Sequence, residues 1–159
     1  AAKRFMASAT TTPPRKFTSK QMGDACEMLV AAELTLAGVP ALKVPDNWPH
    51  YDVIAQPVGM PAQRISVKSR TWKKGPAYLE YNCHDGFDWL CAVILHDSGR
   101  RLFVIPREVA DKHARKDRSP KTAHLRYFRV DQVADIFATW ENNFSLNPCP
   151  SPANPDTCG

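Results

Sequence analysis

The stretch from Tyr51 to Arg70 most constrains how this chain can fold. Tyr51-Asp52-Val53-Ile54-Ala55-Gln56 and Arg64-Ile65-Ser66-Val67-Lys68-Ser69-Arg70 are short runs rich in Val and Ile, separated by Pro57-Val58-Gly59-Met60-Pro61. Such runs, punctuated by Gly and Pro, read as two strands joined by a turn. Alternate residues of a strand point to opposite faces. Asp52, Ile54 and Gln56 therefore share one face of the first strand. Ser66, Lys68 and Arg70 share a face of the second, with Ile65 and Val67 turned the other way. Pairing the strands brings an acid and a lysine to one side of a sheet, an arrangement that suits a divalent cation and a polarised water.

Around this pair the chain alternates helices and strands. Thr18 to Gln21 offers a capping box, so a helix begins near Ser19. Met22, Cys26, Leu29, Ala32 and Leu36 recur at helical spacing, and Val30 and Leu34 add a second stripe. The helix is expected to be covered on both sides and to stop at Gly38. Glu27 lies amid these stripes, where a buried carboxylate needs a partner or a metal. Ala41–Val44 and Ala77–Tyr81 read as short strands. Phe87–Leu95 is a near-continuous apolar run, as in a strand buried on both faces. Strands over Arg101–Ile105 and Leu125–Val130 follow, with a helix from Pro106 between them. A last helix, capped by Asp131, carries Val133, Ile136, Phe137 and Trp140. The expectation is α/β, a central mixed sheet with helices on its faces. The expected organisation is a disordered basic arm over 1–18, one domain over 19–146 and a disordered Pro-rich tail over 147–159.

Charge is unevenly placed. The net charge is +5. Lys3, Arg4, Arg15, Lys16 and Lys20, with no acid among them, account for all of it, so the rest of the chain is neutral overall. Arg64, Lys68, Arg70, Lys73 and Lys74 nevertheless form an acid-free cluster. A second one runs from Lys112 to Arg129, with Asp117 its one acid. Clusters like these either bind phosphate or stand as solvated loops and helix ends. Trp48, Trp72, Tyr78 and Tyr81 are positioned either to stack on bases beside the basic loop or to pack, with packing expected for at least two. Five cysteines, an odd number without a CxxC pair, indicate a reduced intracellular protein. Cys83, His84, Cys91 and His96 fit no zinc-finger spacing. No apolar run is long enough for a membrane span, and a cytoplasmic setting is expected. The acid-free first residues share a feature with organellar transit peptides, although an appended stretch before Met6 followed by a basic arm also accounts for them.

The order of these pieces resembles the PD-(D/E)XK nuclease superfamily, with local texture similar to Holliday-junction-resolvase-like and homing-endonuclease-like members. The matching segments are Gly23 to Glu27 opening the first helix, Leu34 to Gly38 closing it, Tyr51 to Ile54, Ile65 to Lys68, Phe87 to Leu90 and Phe103 to Pro106. The resemblance implies a restriction-endonuclease-like fold and metal-dependent hydrolysis of DNA phosphodiesters. Asp52 would bind Mg²⁺ (or Mn²⁺), Glu27 would bind it directly or through water, and the Val67 carbonyl could add an oxygen. Lys68 would orient the attacking water. Arg64, Arg70, Lys73 and Lys74 would contact phosphates.

One position departs from the motif. The carboxylate expected two residues before the lysine is Ser66, which carries no charge and ligates Mg²⁺ weakly. Glu27 is the first candidate to compensate, with Glu33 and Glu80 behind it. Three functions follow: a DNA endonuclease, a nuclease-like fold that binds nucleic acid without cutting, or a structural subunit serving assembly. A homodimer or higher homo-oligomer is compatible with the first, since two strands need two sites.

Overall fold

The computed structural model describes residues 16–150. Its first helix, α1, spans Ser19–Leu36. The capping box forms as expected: the Thr18 hydroxyl accepts the Gln21 N–H at 3.1 Å, and the Gln21 side chain accepts the Thr18 N–H at 2.9 Å. At the other end Gly38 takes φ +92°, and the N–H groups of Gly38 and Val39 return to the carbonyls of Thr35 and Leu34. That is a Schellman closure, which needs a left-handed residue and therefore favours Gly. Val39 and Leu34 are both buried beneath it.

Seven strands follow: β1 Ala41–Lys43, β2 Val53–Ala55, β3 Gln63–Thr71, β4 Tyr78–Asn82, β5 Trp89–His96, β6 Gly99–Pro106 and β7 Leu125–Arg129. Five form one mixed sheet in the order β1-β2-β3-β5-β6, in which β3 and β5 run parallel and the other neighbours antiparallel. β4 leaves this sheet and pairs with β7 in a small second one. The main sheet has a core on each face. On one face Val53, Ala55, Ile65, Val67, Trp89, Cys91 and Val93 pack against Met22, Cys26, Val30 and Leu34 of α1. On the other, Leu90, Ala92, Ile94, Phe103 and Ile105 pack against Leu79, Tyr81, Phe128 and Phe137. Each fully buried Leu, Ile, Val or Phe contributes about 1.5–3 kcal/mol. β5 is thus buried on both faces, as its unbroken apolar run implies.

Four expectations are corrected. α1 packs on one side only: Ala32 is exposed and Leu36 is 84% exposed, so the Met22-Cys26-Val30-Leu34 stripe, with Ala31 and Leu29 beside it, carries the packing. The last helix is broken into a 3₁₀ turn at Val130–Gln132, a single α-turn at Val133–Ile136 (α3; α2 is Arg107–His113) and a second 3₁₀ turn at Ala138–Trp140. Asp131 does not cap it, because its carboxylate is engaged by Arg129 and by the Gly75 N–H. Residues 141–146 return along β6, where Asn143 is buried and donates to the Val104 carbonyl at 3.3 Å. Finally, Cys26, Cys83 and Cys91 are free thiols, whereas Cys149 is disulfide-bonded. The basic arm before Lys16 and the tail after Pro150 lie outside the described residues. Among those described, no helix is long and apolar enough to cross a membrane.

Candidate active site

Asp52 sits at the last position before β2, where three elements meet. Its N–H donates to the Ile65 carbonyl at 3.0 Å, and its carbonyl accepts the Val44 N–H at 3.0 Å. Its carboxylate accepts the Val67 N–H at 2.8 Å. The register explains this third bond. β2 pairs with β3 only as far as Val53 opposite Ile65, yet β3 runs on to Thr71. Val67 is the first residue past that pairing whose N–H points to the β2 side, and Asp52 takes it up. Charge-assisted bonds of this kind are about twice as strong as neutral ones, so the carboxylate is held in a fixed place. Strand alternation turns the Val67 carbonyl to the same side.

Glu27 comes to the same place from α1. It follows the buried Cys26, so it lies at the margin of the packed stripe, with its side chain 19% exposed. Burial raises the affinity of its carboxyl for a proton, and the charge of Asp52 raises it further; Lys43 opposes both without cancelling them. Glu27 and Asp52 line one cavity of about 210 Å³, together with Lys20, Asp24, Asp46 and Trp48. Two lysines interlace these acids. Lys43 on β1 places its Nζ 3.3 Å from Glu27 and 3.1 Å from Asp46, and Lys20 lies 3.1 Å from both Asp24 and Asp46.

The structure thus brings Glu27, Asp52 and the Val67 backbone together. Ser66 and Lys68 are on the opposite face of β3 from α1, by alternation with Ile65 and Val67. Ser66 is 1% exposed and paired across to Leu90, which makes it a packing position. Lys68 is half-buried, forms no ion pair with a described residue and does not line the carboxylate cavity. Glu33 and Glu80 are not part of that cavity either.

Mg²⁺, the ion that the resemblance implies, takes oxygen ligands. Among the described residues no group of three or more His, Cys, Asp or Glu side chains is arranged to hold a metal. What is present is two carboxylates lining one cavity, the charge of Asp52 disfavouring that of Glu27, with a backbone oxygen beside them. Mg²⁺ keeps several waters and is commonly held by one or two carboxylates plus substrate phosphates, so this set fits, with Lys43 as its resident competitor.

The basic residues divide. Arg64 lies beside Asp88, bonding it through Nε at 3.2 Å, Nη2 at 3.1 Å and its backbone N–H at 2.8 Å. Burial works against the Asp88 charge, but these bonds outweigh it and hold the carboxyl below the usual range. Arg64 therefore ties β3 to the start of β5. Arg70, Lys73 and Lys74 are exposed and form no ion pair with a described residue. Arg70 and Lys73 line a larger cavity of about 840 Å³, with Trp72, Tyr78 and Glu80. The loop carrying the lysines is pinned at both ends: the Trp72 N–H donates to the Leu95 carbonyl at 2.7 Å, and the Gly75 N–H to Asp131 at 3.0 Å. Gly75 has φ +93°, which lets the chain turn there without strain.

Sequence reasoning missed Lys20, Asp24, Lys43 and Asp46. The Lys20-Asp24-Glu27 spacing on one helix face was readable; nothing local marks Lys43 or Asp46 as their partners.

No protein-family model and no curated protein matches this chain. Two solved structures are similar to parts of it. A bacterial homing endonuclease is 23% identical at a TM-score of 0.46, over 58% of this chain and 67% of that one. A Holliday junction resolvase from the archaeal hyperthermophile Archaeoglobus fulgidus is 15% identical at a TM-score of 0.48, over 74% of this chain and 88% of that one.

Proposed function

We propose that this protein is a metal-dependent DNA endonuclease. The observation that carries the reading is the meeting of Glu27 and Asp52 beside the Val67 backbone, where one carboxylate is fixed by a strand N–H and the other is part-buried beside it. Glu27, Asp52 and the Val67 carbonyl would hold Mg²⁺ or Mn²⁺. When bound, the ion stabilises negative charge at the scissile phosphate and acidifies a water. Asp52 keeps its place through the Val67 bond, so its free oxygen stays aimed without reorganisation. Lys68, on the other face of β3 and without an ion-pair partner among the described residues, would have to reach past the strand edge to orient the attacking water. Arg70, Lys73 and Lys74 bind the phosphates that flank it. Ser66 contributes packing only, and Glu27 supplies the charge that the serine lacks.

A second reading, a nuclease-like fold that binds DNA without cutting, is favoured by one contact: Lys43 already neutralises Glu27 at 3.3 Å. Cleavage of supercoiled and branched DNA in Mg²⁺ or Mn²⁺ separates the two. The nuclease reading expects metal-dependent cleavage that Asp52→Asn abolishes. Salt-sensitive DNA binding with no cleavage would leave the second reading standing.

A further inference from the structure

Trp72 is 43% exposed, unusual for so large an apolar side chain beside two lysines. It follows the last residue of β3, and His96 is the last residue of β5. Thr71 is in register with Leu95, so Trp72 and His96 continue the parallel ladder by one step. Their rings stack, with centroids 5.7 Å apart and planes 24° from parallel. The Trp72 backbone is pinned to β5 by its 2.7 Å bond to Leu95. The indole is thus fixed by sheet register and braced on one side by an imidazole. Trp72 lines two cavities. His96 belongs to the smaller, of about 270 Å³. The larger, of about 840 Å³, holds Arg70, Lys73 and Tyr78.

A rigid aromatic surface beside unpaired cations is the physical requirement for holding a nucleotide: the ring stacks a base, and the cations hold its phosphates. A base inside a continuous duplex is already stacked on its neighbours and gains nothing from the ring. We infer that Trp72 is a stacking platform for an unpaired base, and that the protein prefers nucleic acid carrying one (a single strand or bulge) over continuous duplex. The inference rests on the nucleic-acid-binding part of the proposed function and not on cleavage.

The test measures binding in EDTA, with no divalent ion, so that catalysis plays no part. The probes are a continuous duplex and the same duplex carrying one extrahelical 2-aminopurine. The wild type should bind the bulged probe more tightly and quench its 2-aminopurine emission. Trp72→Ala should weaken binding to the bulged probe about tenfold, change duplex binding less than about twofold and abolish the quench. Trp72→Phe should retain most of the preference, which separates stacking from a folding defect. Lys73→Gln combined with Lys74→Gln should weaken both probes alike. Equal loss on both probes with Trp72→Ala, a quench that survives it, or no binding by the wild type would each overturn the inference. Metal-dependent cleavage without any preference between probes would overturn this inference while leaving the nuclease reading intact. A preference without cleavage would do the reverse.

Discussion

The carboxylate pocket and the basic rim lie at two ends of β3's open edge, and their charges are managed in opposite ways. In the pocket nearly every charge has an opposite close by. Lys20 and Lys43 lie within 4.0 Å of Asp24, Glu27 and Asp46. At the rim Arg70, Lys73 and Lys74 have no such partner among the described residues. Exposed pairs contribute little to stability, so the pocket's network is better understood as control of charge than as reinforcement. The rim leaves its positive charge exposed, whereas the pocket sets two lysines against its acids. Only Glu27 disturbs the balance, since burial and the charge of Asp52 oppose its ionisation.

Removing charge from the pocket should have the largest effect. Asp52→Asn keeps an oxygen for the Val67 N–H but removes the charge. It should lower single-turnover cleavage by about a thousandfold or more, the equivalent of several kcal/mol at the transition state. The two lysines sharpen the contrast next. Lys68→Met should slow cleavage about a hundredfold with unchanged Mn²⁺ affinity, as expected for a group that positions water. Lys43→Met should instead tighten Mn²⁺ binding, because it removes the competitor at Glu27. Equal behaviour of the two variants would break the distinction between them.

A smaller effect belongs to the rim. Losing Lys73 and Lys74 should reduce the salt dependence of DNA binding by about 1 in slope for each phosphate contact removed, and an unchanged slope would mark them as a solvated loop. The smallest effect is Ser66→Ala, which should leave the cleavage rate within about threefold, whereas Ser66→Glu should destabilise the fold by forcing a carboxylate into a position 1% exposed.

Glu27 adds a stability prediction with a definite sign. Its folded-state pKa lies above the unfolded one, chiefly through burial. The folded protein therefore binds that proton more tightly, and stability falls as the pH rises from the ordinary Glu range through the folded pKa. In metal-free buffer at neutral pH, Glu27→Gln should melt at or above the temperature of the wild type, and thermal melts from pH 4 to 8 should show a shallower decline.

These contrasts show what could be read from the chain. The pairing of β2 with β3 was legible because Val53, Ile65 and Val67 alternate with polar residues, and period-2 patterning is a local signal. The Gly38 stop and the Thr18 cap were legible for the same reason. Arg64 was not: its partner Asp88 lies across a parallel pairing that only the assembled sheet creates. The broken last helix was hidden likewise, since Asp131 is drawn away by Gly75, 56 residues distant. Lys43 reads as a surface lysine of a three-residue strand until β1 is laid beside α1. In the pocket, then, motif order singled out Glu27 and Asp52, but the lysines that pair with Asp24, Glu27 and Asp46 are placed by tertiary contacts.

The central claim is that Glu27 and Asp52 share one cation. Titrating Mn²⁺ into the wild type, Glu27→Gln and Asp52→Asn, with free Mn²⁺ followed by electron paramagnetic resonance, tests it without reference to catalysis. One site in the wild type, weakened about tenfold or more by either substitution alone, is the predicted result. Unchanged Mn²⁺ affinity in Asp52→Asn or in Glu27→Gln would contradict it.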